Sequence, residues 1–382
     1  GGGGGGGGGG GVLVGSVLCA GLACLDQQLL QAREPSSREA IAPFSGCVVQ
    51  AGGSAPNTAT ALRALGCGAS VLSVLGSDLH GDELARQLAG EGVDTSLLVR
   101  RSDVSTSLAV LPVFEGGGRG CWVDLSANNL LTPDVVLGAM RAPGAAARLA
   151  GVRALHVGYP HLLRGLQGPA LLQLLEAAAE AVEAASGEAP IVSLDVNGAT
   201  LGAAADADGV IGPALGKVDL LHANFEEACH ISGRAAGSLA EEAATDGELE
   251  ALVAPLLEAG VGLVAITLGR AGAYVAFGGE GATRRQGGGA FAAAAAGWRP
   301  GECVRLPALP VAGEVNANGA GDAFVAGLLA ALLWRGTDGE PLTLEQAARV
   351  ALGSARQRID PARRESPESV DALCGENVSQ GV

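Results

Sequence analysis

The sequence predicts an α/β protein: a doubly wound, mainly parallel sheet flanked by helices, with a small β lid. Three observations predict it. Short, almost unbroken apolar runs recur between helix-like stretches, the pattern of parallel strands buried on both faces. Between about 104 and 126 the alternation is interrupted by β-rich material turning on Gly116-Gly117-Gly118, which reads as a lid. The 382 residues, 48% hydrophobic but only 3% aromatic, suffice for one large aliphatic core.

The chain opens on a glycine tract, residues 1–11, without Met, and reads as a fragment or processed product. That leaves a targeting segment upstream open. Val12 to Leu25 is continuously small and apolar and ends in Asp26, which predicts one buried strand presenting a carboxylate at its C-terminal end. A first set of lid elements falls within about 27–51. Gly52-Gly53-Ser54-Ala55-Pro56-Asn57 then precedes a helix expected from Thr58 to Gly66, N-capped and closed by glycine. Paired glycines admit a ligand close to the backbone and Asn57 offers donor and acceptors, although a plain cap and turn fits equally.

Further on, Val71 to Gly76 reads as a strand and Gly81 to Gly90 as a helix. Thr106 to Phe114 and Cys121 to Leu125 form a hairpin, and helices are expected at Pro133 to Arg141 and Gly168 to Ala185. Strands follow at Ala154 to Gly158, Ile191 to Val196, Leu220 to Ala223, Val261 to Leu268 and Ala273 to Phe277. The Gly- and Ala-rich stretch 278–303 reads as a disordered, solvent-exposed insertion, and 359–382 as a loosely ordered tail.

A formal charge of −16 argues against a nucleic-acid surface or an anionic membrane as partner, since both need basic patches. Any phosphate must then be held locally, by amides, a few cations and Mg2+. No apolar run has the length of a membrane span. The eight cysteines include no CxxC pair and read as buried thiols in a reducing, cytoplasmic setting.

The stretch Asn316-Ala317-Asn318-Gly319-Ala320-Gly321-Asp322 runs into a long apolar helix beginning Ala323-Phe324-Val325. Small residues at a helix start leave backbone N–H groups uncrowded, where phosphate oxygens can be held. Asp322 repels what those amides attract, which suits a base that takes a hydroxyl proton during phosphoryl transfer. An ordinary glycine turn with Asp favouring the helix dipole accounts for the same residues.

Three spaced signals together resemble the ribokinase-like (PfkB) carbohydrate kinase family: Gly52-Gly53 with Asn57, Asn224-Phe225-Glu226-Glu227, and Gly319-Ala320-Gly321-Asp322. Their order and spacing match from Val14 to about Ala355, so the resemblance implies a kinase domain over 12–358. The opening Leu18 to Asp26 is similar to that of ketohexokinases, and Ser126-Ala127-Asn128-Asn129 to a ribokinase segment.

The resemblance implies ATP-dependent phosphorylation of a sugar or sugar-like hydroxyl. Asp26, Asn57 and the backbone of Gly52 and Gly53 would grip the acceptor. Asp322 would be the base, with Gly319, Ala320 and Gly321 as anion hole. Asn224, Thr267, Gly269 and Gly272, with Gly319 and Gly321, would bind ATP, and Glu227 with Asn224 would hold Mg2+ through water. Asp195 and Asn197 match another strand-end pattern on the phosphate side. Arg119 is a candidate lid cation, or simply an exposed arginine.

Two departures stand out. Asn316-Ala317 replaces the family's Asp-Thr, so monovalent-cation activation is not inherited, and Ala351 to Arg356 only loosely resembles the adenine-side loop. A homodimer through the lid follows by analogy alone. A nucleoside kinase and a catalytically silent sensor or assembly subunit of the same fold stay open. An oxidoreductase is disfavoured, since no G-x-G-x-x-G opens an early βα unit.

Overall fold

Eight strands form the central sheet, in the edge-to-edge order Cys303–Leu306, Ala273–Phe277, Leu263–Thr267, Leu220–Asn224, Ile191–Asp195, Val152–Gly158, Ser16–Gly21 and Gly68–Leu72. The six from Leu263–Thr267 to Gly68–Leu72 run parallel; Ala273–Phe277 is antiparallel to them, and Cys303–Leu306 pairs antiparallel with it at the edge. The computed structural model describes residues 11–115, 118, 120–196, 207–233, 241–279, 289–311, 317–364 and 366–375. Arg119, Asn197 and Asn316 lie outside them.

Side chains alternate across the sheet, so neighbours in one strand serve different layers. Val17 and Cys19 join the apolar cluster that holds the helix Ala320–Leu333, while Leu18 and Ala20 join the cluster around the helix Pro169–Ser186. This double burial is why the strands read as unbroken apolar runs.

The first expected strand is corrected. Val12 to Leu25 is not one strand: Val12–Leu13 pairs with Trp334–Arg335, Ser16–Gly21 lies in the central sheet, and Cys24–Ala32 belongs to a second sheet. The switch falls at Leu22 and Ala23. Gly21 has φ 147°, and a Cβ there would sit 2.7 Å from the Gly158 carbonyl. Buried Asn128 grips the crossing twice, accepting from Ala23 N at 3.0 Å and donating to Ala23 O at 2.9 Å. Asp26 therefore stands in the second sheet, not at the end of a central strand.

That second sheet has the order Gly46–Gly52, Cys24–Ala32, Leu108–Phe114, Trp122–Asp124 and presents Val48, Val49, Trp122 and Val123 to solvent. The expected helix also moves: it spans Ser54–Ala64, with Gly53 (φ 90°) at its N-cap. Pro56 sits in the first turn, where a missing N–H costs nothing. Asn57 is thus inside the first turn rather than in a loop before it.

Two stretches read as loosely ordered are packed in the parts that the structure describes. In the stretch read as an insertion, the helix Ala290–Ala294 is packed into the core. Phe291 is 2% exposed and lies 6.4 Å, centroid to centroid, from Phe277, which Trp298 meets edge-on at 5.4 Å. Beyond 359 the chain forms two short helices, Pro361–Arg364 and Val370–Gly375, and buries Val370 and Leu373. The thiols divide as well: Cys19, Cys24, Cys67 and Cys229 are buried, whereas Cys47, Cys121 and Cys303 are exposed. All eight are free. No helix of the described residues is long and apolar enough to cross a membrane.

Because Phe291 fills core space, Phe291→Ala should cost about 3–5 kcal/mol in denaturant unfolding. A dispensable insertion would show almost none.

Candidate active site

The site is organised by the helix Ala320–Leu333, whose residues from Asp322 to Leu333 are all buried. An all-apolar helix of this kind is stable only inside a core. Gly327 allows a close crossing, since a Cβ there would fall 2.6 Å from Ala351 Cα on the helix Leu344–Ile359. That crossing leaves Arg358, in the partner helix's last turn, beside the start of the first. Its Nε donates to Asn318 O at 3.3 Å, and its Nη2 to Asn57 Oδ1 at 3.4 Å.

Asp322 is 1% exposed. Its Oδ2 accepts from Asn57 Nδ2 at 3.0 Å and its Oδ1 from the Tyr159 hydroxyl at 2.9 Å. Burial, and then the charge of Asp195, raise its pKa to about 7, against the pull of Tyr159, Asn57 and Arg358. A carboxylate so placed can exchange a proton near neutral pH. Burial and the nearby carboxylates hold the Tyr159 phenol well above its usual range, so it stays a donor. Tyr159 has φ 62°, a left-handed conformation that a bulky residue keeps only when its surroundings enforce it. Its amide donates to Asp195 O at 3.0 Å.

Gly319 caps the helix with φ 77°. The Ala320 amide donates to Ala317 O at 3.1 Å, whereas the amides of Gly319 and Gly321 have no acceptor among the described residues. Two of the three expected donors are therefore open. Asp26 is buried at 6% exposure, and Cys24 Sγ donates to its Oδ1 at 3.2 Å. Burial, then Asp26 and more weakly Cys121 and Asp322, push the Cys24 thiol up, so both carboxylates bear on one spot. Gly52 makes room for Asp26: a Cβ on it would sit 2.2 Å from the carboxyl carbon. Gly53 is equally constrained, by Leu22 O at 2.4 Å.

The profile of the pfkB family carbohydrate kinases matches residues 15–360. The chain belongs to that family. This pfkB kinase also shares its fold with solved structures. Arabidopsis thaliana ribokinase, complexed with ribose and ATP, is 21% identical with TM-score 0.69, covering 96% of this chain and 100% of that one. Ribokinase from Thermotoga maritima is 17% identical (TM-score 0.65, 95% and 100% covered). A Methanocaldococcus jannaschii nucleoside kinase is 16% identical (TM-score 0.63, 94% and 97%). No curated protein matches the sequence.

A cavity of about 320 Å3 adjoins the cradle and is lined by Asn224, Thr267, Gly269, Gly272, Ala320 and Gly321 among others. Gly269 and Gly272 have φ 49° and 101°, so their loop depends on glycine. Asn224 and Glu227 form a reciprocal capping box, each side chain bonded to the other's amide at 2.9 Å. No cluster of three metal-binding side chains exists among the described residues. Asp195 accepts from His222 Nδ1 at 2.8 Å; burial alone would lower the His222 pKa, but Asp195 raises it above the usual value. Tyr159, His222 and Arg358 escaped the sequence reading because no motif flags them. The only hint was a tyrosine directly after an apolar strand and before Pro160.

Tyr159→Phe should move the Asp322 pKa upward, since it removes a donor that favours the charged form. The acid limb of the pH–rate profile, expected near pH 7 in the parent with activity lost as pH falls, should then shift up by about one unit.

Proposed function

We propose that this kinase transfers the γ-phosphoryl group of ATP to a hydroxyl of a sugar or sugar-like acceptor. The observation that carries the reading is the 3.0 Å contact between Asn57 and Asp322, which joins the acceptor-gripping element to the base at the mouth of the amide cradle. Asp26 and Asn57 read neighbouring hydroxyls, an acceptor-only group beside a bifunctional one.

Asp322 then accepts the proton of the attacking hydroxyl while the Gly319 and Gly321 amides face the charge developing on the phosphoryl oxygens. The phosphates occupy the cradle end of the 320 Å3 cavity and the nucleoside its remainder. Mg2+, when bound, neutralises phosphate charge and keeps several waters. Glu227, buried and close enough for its charge to bear on Tyr159 and His222, would hold it through water with Asn224, whose side chains are otherwise engaged in the capping box. The exposed apolar residues of the lid, Trp122, Val123, Val48 and Val49, support a homodimer formed there.

A silent sensor of the same fold has no use for a buried carboxylate tuned to about 7, which favours the catalytic reading. Asp322→Asn should bind ATP normally while turnover falls by about 10^2–10^4-fold. A coupled ADP-release assay over sugars and nucleosides checks it. Parent-like rates in that variant would remove Asp322 from the mechanism.

A further inference from the structure

A second cavity, of about 580 Å3, adjoins Asn57 and is lined by Arg86, Arg358, Arg363 and Arg364 against one carboxylate among the described residues, Glu91. In a chain of net charge −16 such a gathering is conspicuous. Two of the four are satisfied: Arg86 makes a two-point bond to Glu83 at 2.8 and 2.6 Å, and Arg363 reaches Glu368 at 2.6 Å. Among the described residues neither of the other two has a carboxylate within ion-pair distance, although the charge of Arg358 bears on Asp322. Among the described residues Arg358 donates to Asn318 O and Asn57 Oδ1, and Arg364 to the Arg358 carbonyl.

The Arg364 Nε–H donates to the Arg358 carbonyl, which brings the two arginines together at this cavity. Partial burial and the Arg358 charge hold Arg364 below the usual guanidinium range. Planar N–H forks converging on one cavity match the oxygens of a phosphate.

We propose that this cavity binds a phosphate-type oxyanion, either free or carried by the acceptor, between Arg358 and Arg364. Arg358 then links the two halves of the site, one guanidinium nitrogen on the loop before the cradle and another on Asn57. The connection to the acceptor rests on the reading of Asn57 and Asp322 given above; the anion site does not.

The test is calorimetric titration of inorganic phosphate into the full chain, with the cradle saturated by Mg2+ and a nonhydrolysable ATP analogue. Parent protein should bind saturably, Arg364→Gln at least about tenfold more weakly, and Arg364→Lys in between. Charge-assisted hydrogen bonds are worth that much. No saturable binding, or equal binding by parent and Arg364→Gln, overturns the proposal.

Turnover assays then separate the two sources. If the phosphate rides on the acceptor, sugar monophosphates are phosphorylated and Arg364→Gln raises their KM while leaving that of ATP. If it is free, inorganic phosphate changes the KM of an uncharged acceptor and Arg364→Gln abolishes the change. Phosphate binding lost in Arg364→Gln, without turnover of any acceptor, would uphold the anion site and count against the kinase reaction instead.

Discussion

The site depends on keeping one carboxylate dry. Asp322 is the first fully buried residue of a helix that has no solvent face, and its ionised form survives there only because donors converge on it. Each donor comes from a different part of the chain: Asn57 from the first turn of an early helix, Tyr159 from the end of a central strand, Arg358 from a late helix acting through Asn57. Removing water and supplying donors are opposite influences on the same proton. Their balance at about 7, rather than the bare presence of an acid, makes Asp322 suited to general-base work.

The fold meets this requirement through close backbone approaches. Gly327 lets two helices cross at a distance that no side chain permits, and so sets where Arg358 ends up. Gly52 does the same for Asp26, and Gly21 for the chain as it leaves the central sheet. Asn128 then holds the crossing with both ends of its amide, replacing ladder hydrogen bonds lost where one sheet stops and the next begins. Asp26 is thereby carried on the second sheet, while Asn57 and Asp322 stay with the central sheet's helices.

How much of this could be read from the sequence follows from the same physics. Ala273–Phe277 matches its expected limits residue for residue, because a doubly buried strand bounded by Gly272 and Gly278 has no other reading. The run from Val12 was legible as apolar but not as three strands, since leaving one sheet for another does not change hydrophobicity where both bury their residues, as from Val17 to Leu25, while Val12 itself is exposed. The helix start was placed at Thr58 on capping preference. The glycine at 53 and proline at 56 satisfy the same end four residues earlier. Phe291 and Trp298 were hidden by low-complexity neighbours. The motif residues themselves were legible because each is constrained locally, whereas Tyr159 and Arg358 reach Asp322 and Asn57 through contacts 163 and 301 residues distant in sequence.

The surrounding charges carry the argument one step further. Asp195 is the one neighbour whose charge pushes the Asp322 pKa up appreciably, yet it is itself bonded to a buried His222 whose pKa it raises. A protonated His222 offsets Asp195 and so weakens its effect on Asp322; a neutral one leaves it at full strength. The base strength of Asp322 therefore depends on a second proton, held one residue pair away and against Phe324 of the same helix, 5.5 Å between ring centroids. The protonation of Asp322 is thus linked to that of buried His222, on which the charge of Asp322 bears in turn.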